Sequence, residues 1–143
     1  MKKTFKFALC ALVASMLFAV AGAACAAEIS VSNALDLRLS LTFAYYDRES
    51  GELTTKGWWY VEPHGQTVVT LDADESRGIY YAAYNKDQFV DTTTRENPQI
   101  FRWASYRNFT FTADTEPSDP DAWKGRFFKI DGTSINVDGK RRG

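Results

Sequence analysis

Leu37, Leu39, Leu41, Phe43 and Tyr45 are apolar at every second position, and Arg38, Ser40 and Thr42 between them are polar. Successive side chains of an extended chain point to opposite faces, so this alternation predicts a strand buried on one side. Nothing elsewhere in the sequence has the periodicity of a helix of ordinary length. The chain is therefore restricted to an all-β fold, and the remaining apolar runs read as further strands.

A short strand is expected at Ile29 to Ser32, ahead of the alternating segment. Asp47 to Glu52 is polar with Gly51 near its end and predicts a hairpin loop. The return strand runs from Leu53 to Glu62, where Pro63 stops it and Gly65 permits a turn. Thr67 to Leu71 is β-branched and apolar, and Ile79 to Tyr84 is rich in aromatics, so both read as strands. Asn85 to Asp87 is a turn, with a short continuation at Gln88 to Val90 and a loop from Asp91 to Pro98. Further strands are expected at Ile100 to Trp103 and Phe109 to Ala113. The acidic, proline-containing run 114–121 is an exposed loop. Lys124 to Ile130 and Thr133 to Val137 are expected to pair as a hairpin across Asp131-Gly132. The fold class is a single small β-sandwich or open barrel of about seven to nine mostly antiparallel strands.

Two Trp and four Tyr fall between Gly57 and Tyr84. In the strand ending at Glu62, alternation puts Gly57, Trp59 and Val61 on one face, expected to be core. It puts Lys56, Trp58, Tyr60 and Glu62 on the other. Trp58 and Tyr60 are thus expected to be partly exposed. Tyr80 and Tyr84 share a face of their strand opposite Tyr81, with either face free to point inward. Such aromatics stabilise a sheet as cross-strand pairs, and exposed ones are favoured anchors for a partner.

The ends of the chain read differently from its middle. Lys2, Lys3 and Lys6 precede an uncharged stretch from Phe7 to Ala21, followed by small residues around Cys25. This is the pattern of a secretory signal peptide, 1–27, with cleavage after Ala26 or Ala27. The alternative is a lipid anchor at Cys25, although Gly22 stands where a lipoprotein signal usually has a Leu-like residue. The domain then covers 28–138, and 139–143 is a frayed basic tail. Removing Lys2, Lys3 and Lys6 leaves 14 of the 17 basic residues against 18 acidic ones, a net charge of −4. That balance argues against nucleic acid, which requires a concentrated positive field. Cys10 and Cys25 leave with the signal, so no disulfide is expected and packing must hold the domain together. A periplasmic or secreted location follows, with no membrane span in the mature form.

The chain resembles a family of small exported bacterial domains catalogued as domain of unknown function 1036. The resemblance is carried by Asn33, by Ala44-Tyr45-Tyr46, and by Gly57-Trp58-Trp59 followed by Glu62-Pro63 and Gly65. Tyr80-Tyr81-Ala82-Ala83-Tyr84, Phe109-Thr110-Phe111 and Phe127-Phe128-Lys129-Ile130-Asp131 extend it over most of the mature chain. It implies export and this fold class, and no activity. Members of that family commonly carry several cysteines, one directly after the Pro-Gly turn, and this chain has none there. His64 also stands between the Pro and Gly that the family places together. A disulfide or metal role in the family therefore does not transfer.

The chemistry available to the mature chain is narrow. It has no Cys and one His, His64, in a Pro-x-Gly turn where a side chain is normally solvated. One His supplies neither a zinc site nor the fixed base of a triad. Asp72 to Gly78 begins like a calcium loop, but Arg77 and Ala83 stand where an EF-hand needs Gly and Glu. No metal, cofactor or catalytic residue is assigned. A carboxylate pair drawn from Asp47, Glu49, Glu52, Glu62, Asp72, Asp74 and Glu75 remains as the basis of a small hydrolase. The leading expectation is a non-catalytic exported domain that binds a protein or envelope component through Trp58, Tyr60, His64, Tyr80 and Tyr84. The alternatives are that hydrolase and a purely structural envelope protein.

Overall fold

Ten strands, one of them only two residues long, and a single helical turn make up the described part of the chain. The structure is a computed structural model, and it describes residues 26–86, 88–89, 98–112 and 115–138. The strands are β1 (Ala27–Asn33), β2 (Leu39–Tyr46), β3 (Leu53–Val61), β4 (Gln66–Leu71) and β5 (Ile79–Asn85). They continue as β6 (Gln88–Phe89), β7 (Gln99–Ser105), β8 (Phe109–Phe111), β9 (Ala122–Lys129) and β10 (Ser134–Val137), with a 3-10 turn at Glu75–Arg77. The fold is all-β, and among the described residues no helix is long and apolar enough to cross a membrane. The expected signal segment up to Cys25, most of the 91–98 loop and the basic tail 139–143 lie outside the described residues.

The strands form two sheets. The smaller has the order β10-β1-β4, and the larger β7-β9-β5-β2-β3-β8, with β6 paired to β5. The alternation that begins the sequence reading determines how they stack. Leu39, Leu41, Phe43 and Tyr45 of β2 are buried and meet Ile29 and Val31 of β1, Val69 and Leu71 of β4, and Ile135 and Val137 of β10. Burial of this many aliphatic side chains, each contributing about 1.5–3 kcal/mol, is what holds the two sheets face to face. Leu37 does not belong to this face; it lies ahead of β2 and is 46% exposed.

Asn33 ties the sandwich at one end. The residue is 2% exposed, and its amide group donates to the carbonyls of Leu37 (2.7 Å), Glu62 (3.1 Å) and Val61 (3.3 Å). Its Oδ1 accepts from the Leu35 N–H at 2.9 Å. One buried side chain thereby bonds backbone groups of two chain segments, 35–37 and 61–62.

Two expectations are corrected. Ser134–Val137 does not return as a hairpin on β9; it pairs parallel with β1, Val31 opposite Ile135 and Asn33 opposite Val137. The chain crosses between sheets at Asp131-Gly132, where Gly132 has φ 78, and Ile135 and Val137 thereby enter the inter-sheet core. Alternation says which residues of a strand share a face, but not which sheet the strand joins.

The second correction concerns Gly57. Leu41 pairs with Trp59 and the next residue, Thr42, with Gly57, so Trp58 is an extra residue in β3. A bulge of this kind reverses the alternation beyond it. Trp59 and Val61 face the sandwich core as expected, with Trp59 edge-on to Phe43 at 5.3 Å. Gly57 instead lies on the same side as Trp58: a Cβ there would come within 2.7 Å of Phe109 and 3.2 Å of the Thr42 hydroxyl. The Gly57–Trp58 peptide is cis.

Candidate functional site

The larger sheet curls away from the sandwich core, and small residues floor its concave face. Ala44 of β2 and Ala82 of β5 are at most 1% exposed. Trp58, Tyr80, Tyr84, Ile100, Trp123 and Phe127 fill the space over them as a second apolar cluster. Larger side chains at 44 and 82 would occupy the room that these rings use.

The rings pack edge to face. Tyr84 meets Trp58 at 5.8 Å and 84°, and Trp123 at 5.2 Å and 72°. Trp58 also meets Phe109 of β8 at 5.9 Å. Such contacts place the positive ring edge against a negative face and contribute about 0.5–1.5 kcal/mol each beyond burial. The Trp58 indole N–H donates to the Ser105 carbonyl at 2.9 Å, and its backbone N–H donates to Asn108 Oδ1 at 3.2 Å. Gly125 is required by close approach, since a Cβ would come within 2.7 Å of the Trp123 ring and 2.8 Å of the Tyr84 hydroxyl.

Above this cluster the concave face opens into a cleft of about 660 Å³ with Trp58, Tyr60, Tyr84, Tyr106 and Trp123 in its lining. The opening has a topological cause. β9 pairs with β5 only at Tyr80–Lys129 and Tyr81–Phe128, while its ladder with β7 runs from Ala122 to Phe128. Beyond Tyr81, β5 leaves β9 and pairs with β6 at Tyr84 and Asn85. The separated strands leave the gap that the aromatics line.

Among the described residues no Asp or Glu lines the cleft, and Lys86, Lys124 and Arg126 are in its lining. Lys124 lies over Trp103 at 5.5 Å and Arg126 over Phe101 at 5.9 Å. Their paired partners are Trp103 and Phe101, and they alternate with Trp123, Gly125 and Phe127, so both charged groups lie on the face of β9 opposite the aromatic cluster. Arg38 covers the ring of Tyr60 at 4.4 Å and pairs with Glu62 at 3.2 Å. Burial, then the neighbouring Tyr106, pushes the Tyr84 phenol up to about 12. The Trp123 indole N–H is shielded from solvent and has no hydrogen-bond partner among the described residues. A buried donor in that condition costs about 1–3 kcal/mol.

Three of the expected site residues, Trp58, Tyr60 and Tyr84, come together in the cleft. Tyr80 packs against the cluster beneath without lining the cleft. His64 is elsewhere, exposed in the β3–β4 turn with φ 57 and paired with Asp36 at 2.5 Å. Sequence reasoning missed Tyr106 and Trp123. The spacing Trp123, Gly125, Phe127 is itself a period-two signal, with the glycine marking a close approach. Cys25, the alternative lipid site, lies outside the described residues.

Three acids lie together away from the cleft. Asp47, Glu52 and Asp72 line a separate hollow of about 600 Å³ together with Ser50, Thr54 and Thr70. Hydrogen bonds from Ser50 N (2.8 Å) and Glu49 N (3.1 Å) hold the Asp47 carboxyl below its usual range, with Ser50 the largest cause. That is opposite to what a general acid requires. Asp72 is paired with Arg48 at 2.5 Å, and Asp74 caps the 3-10 turn through Ser76 N at 3.1 Å. Among the described residues no group of three His, Cys, Asp or Glu is placed to hold a metal ion.

No family model matches the chain, and no curated protein or solved structure matches it either. The resemblance to the domain of unknown function 1036 family therefore rests on the quoted residues alone.

Proposed function

We propose that this is an exported, non-catalytic binding domain that holds a ligand in the aromatic cleft of its curled sheet. The observation that carries the reading is a concave site of about 660 Å³ lined by five Trp and Tyr side chains and, among the described residues, no carboxylate. Its volume lies within the roughly 300–1,000 Å³ of small-ligand sites. A hydrolase of the carboxylate type needs two acids flanking the bound bond, and the acids that cluster lie in another hollow. Tyr60 is 48% and Tyr106 64% exposed beside the gap between strands, where aromatic side chains are favoured anchors for a partner.

Export is part of the same reading and rests on the N-terminal pattern. Ala27 is 1% exposed and pairs with Leu71 at the start of β1. Cleavage after Ala26 keeps that contact, and cleavage after Ala27 removes it. A mass measurement on the mature N-terminus distinguishes the two from each other and from a lipid on Cys25.

The test of binding uses the four tryptophans as reporters. Trp58 and Trp123 line the cleft, whereas Trp59 packs against the sandwich core and Trp103 lies under Lys124. A nitrogen-15 indole spectrum of the mature domain is recorded against neutral sugars, acidic sugars, aromatic acids and short peptides. The reading expects one class to move the Trp58 and Trp123 signals selectively, with the effect lost in Tyr60→Ala. Uniform shifts of all four, or none with any class, overturn it.

A further inference from the structure

From the free edge of β4 we propose that two copies of this chain associate, β4 against β4, into one sheet that runs through both. The direction of each backbone group follows from the bonds around β1. Ser30 N–H donates to the Thr133 carbonyl beside β10, so its neighbours Ile29 and Val31 turn their N–H groups toward β4. Their partners there, Val69 and Thr67, face β1 in return. Gln66, Val68 and Thr70 therefore direct both N–H and C=O away from β1, to the edge. Two more bonds agree. Asn33 N–H reaches the Gly65 carbonyl, and the outward carbonyl of Asp72 accepts from Arg48 N–H. Among the described residues β1 is the one strand that pairs with β4.

Native sheet edges are usually guarded by charge, proline or a bulge. β4 reads Gln66-Thr67-Val68-Val69-Thr70-Leu71, without charge or proline, and its register on β1 is unbroken. Val68, at its middle, is 56% exposed. The other sheet ends are shorter or tied back. β8 has three residues and β10 four, and β7 is bonded to β3 through Trp58 and Arg102. Beside Thr70 there is room, because the space toward Lys56 and Thr110 is the hollow of about 600 Å³.

The edge is also complementary to itself. A two-fold axis through Val68 sets Val68 against Val68 and Gln66 against Thr70 of the second copy, each outward N–H opposite an outward C=O. The exposed Val68 side chains then meet as a cross-strand pair, and no like charges meet within the strand. A contact this small makes a transient dimer rather than an obligate one. The aromatic cleft belongs to the other sheet, so the inference does not depend on what the cleft binds.

The test is sedimentation velocity of the mature domain, with amide hydrogen exchange read at each concentration. A dimer should grow in between about 10 μM and 1 mM, the range of a weak interface. Exchange at Gln66, Val68 and Thr70 should slow by about tenfold as the dimer becomes the main species, while Thr67 and Val69 stay slow throughout. Val68→Lys puts like charges opposite each other at the axis and should leave the chain monomeric at the highest concentration. Val68→Pro removes an N–H that the β1 ladder does not use and should do the same. Val68→Lys changes an exposed side chain and should melt as wild type does, so it decides the matter if Val68→Pro fails to fold. A wild-type chain still monomeric at the highest concentration overturns the inference, as does a dimer that Val68→Lys leaves intact. Slow exchange of Gln66, Val68 and Thr70 at every concentration overturns it too, since another segment of the same chain would then cover the edge.

Discussion

The Trp58 indole N–H reaches the Ser105 carbonyl at 2.9 Å across 47 positions of sequence. Trp58 is in β3 and Ser105 ends β7, strands near opposite ends of the larger sheet. Arg102 of β7 makes the same crossing, with its Nε 3.3 Å from Thr55 Oγ1 and its guanidinium 3.5 Å from the Leu53 carbonyl. The curl is thus closed by side chains, not by a continuous backbone ladder. That explains why the concave face can hold packed aromatics at one level and an open cleft at the next.

Trp58→Phe keeps a ring in place and removes the N–H. It should destabilise the domain by about 1–3 kcal/mol, because the Ser105 carbonyl loses its donor. Urea unfolding followed by circular dichroism measures this. An unchanged midpoint would show that the bond does not close the curl.

Asn33→Asp replaces an amide that donates to three carbonyls with a carboxylate that repels them. A loss of about 3 kcal/mol or more is expected at pH 7. The introduced carboxyl should have a folded pKa above its unfolded one, since only its protonated form can donate. The deficit should therefore shrink as pH falls toward 4 and grow as pH rises. Melting curves at both pH values check the sign.

Gly125→Ala introduces a Cβ at 2.7 Å from the Trp123 ring and 2.8 Å from the Tyr84 hydroxyl. Overpacking of this kind costs about 1–3 kcal/mol. The Trp123 indole signal should move while that of Trp59 stays in place.

Tyr84 imposes a limit on stability at high pH. Its pKa is raised from 10.0 to about 12, so its contribution is complete below pH 10 and is lost as pH rises toward 12. The loss is about 2–3 kcal/mol. Tyr84→Phe should flatten that decline without abolishing it, because burial also raises the Tyr45 phenol. An equally steep decline in the variant would remove Tyr84 as the cause.

The residues differ in how plainly they announce their place. Leu39, Leu41, Phe43 and Tyr45 could be assigned to one buried face because side-chain direction reverses at every residue of any strand. Trp59 and Val61 were equally legible. Gly57 was not, because the bulge falls between it and Trp59 and a glycine carries no side chain to betray the change of face. Asn33, quoted for the family resemblance, reads in sequence as an ordinary polar residue; its three acceptor carbonyls come from loops and strand ends up to 29 positions away.

The site divides in the same way. Trp58, Tyr60 and Tyr84 are visible as aromatics on half-buried strands, whereas Tyr106 and Trp123 join them only because β9 runs beside β7 and parts from β5. His64 sits close to Tyr60 in sequence and still points to Asp36 instead. Local alternation, a property of a few consecutive residues, suffices for the all-β class, most strand positions and the core face of β2. The parallel seat of β10 on β1, the curl of the larger sheet and the aromatic cleft depend on pairings between distant segments. Those pairings are decided by which strand edges and apolar faces can be buried together, and no short stretch of sequence contains that information.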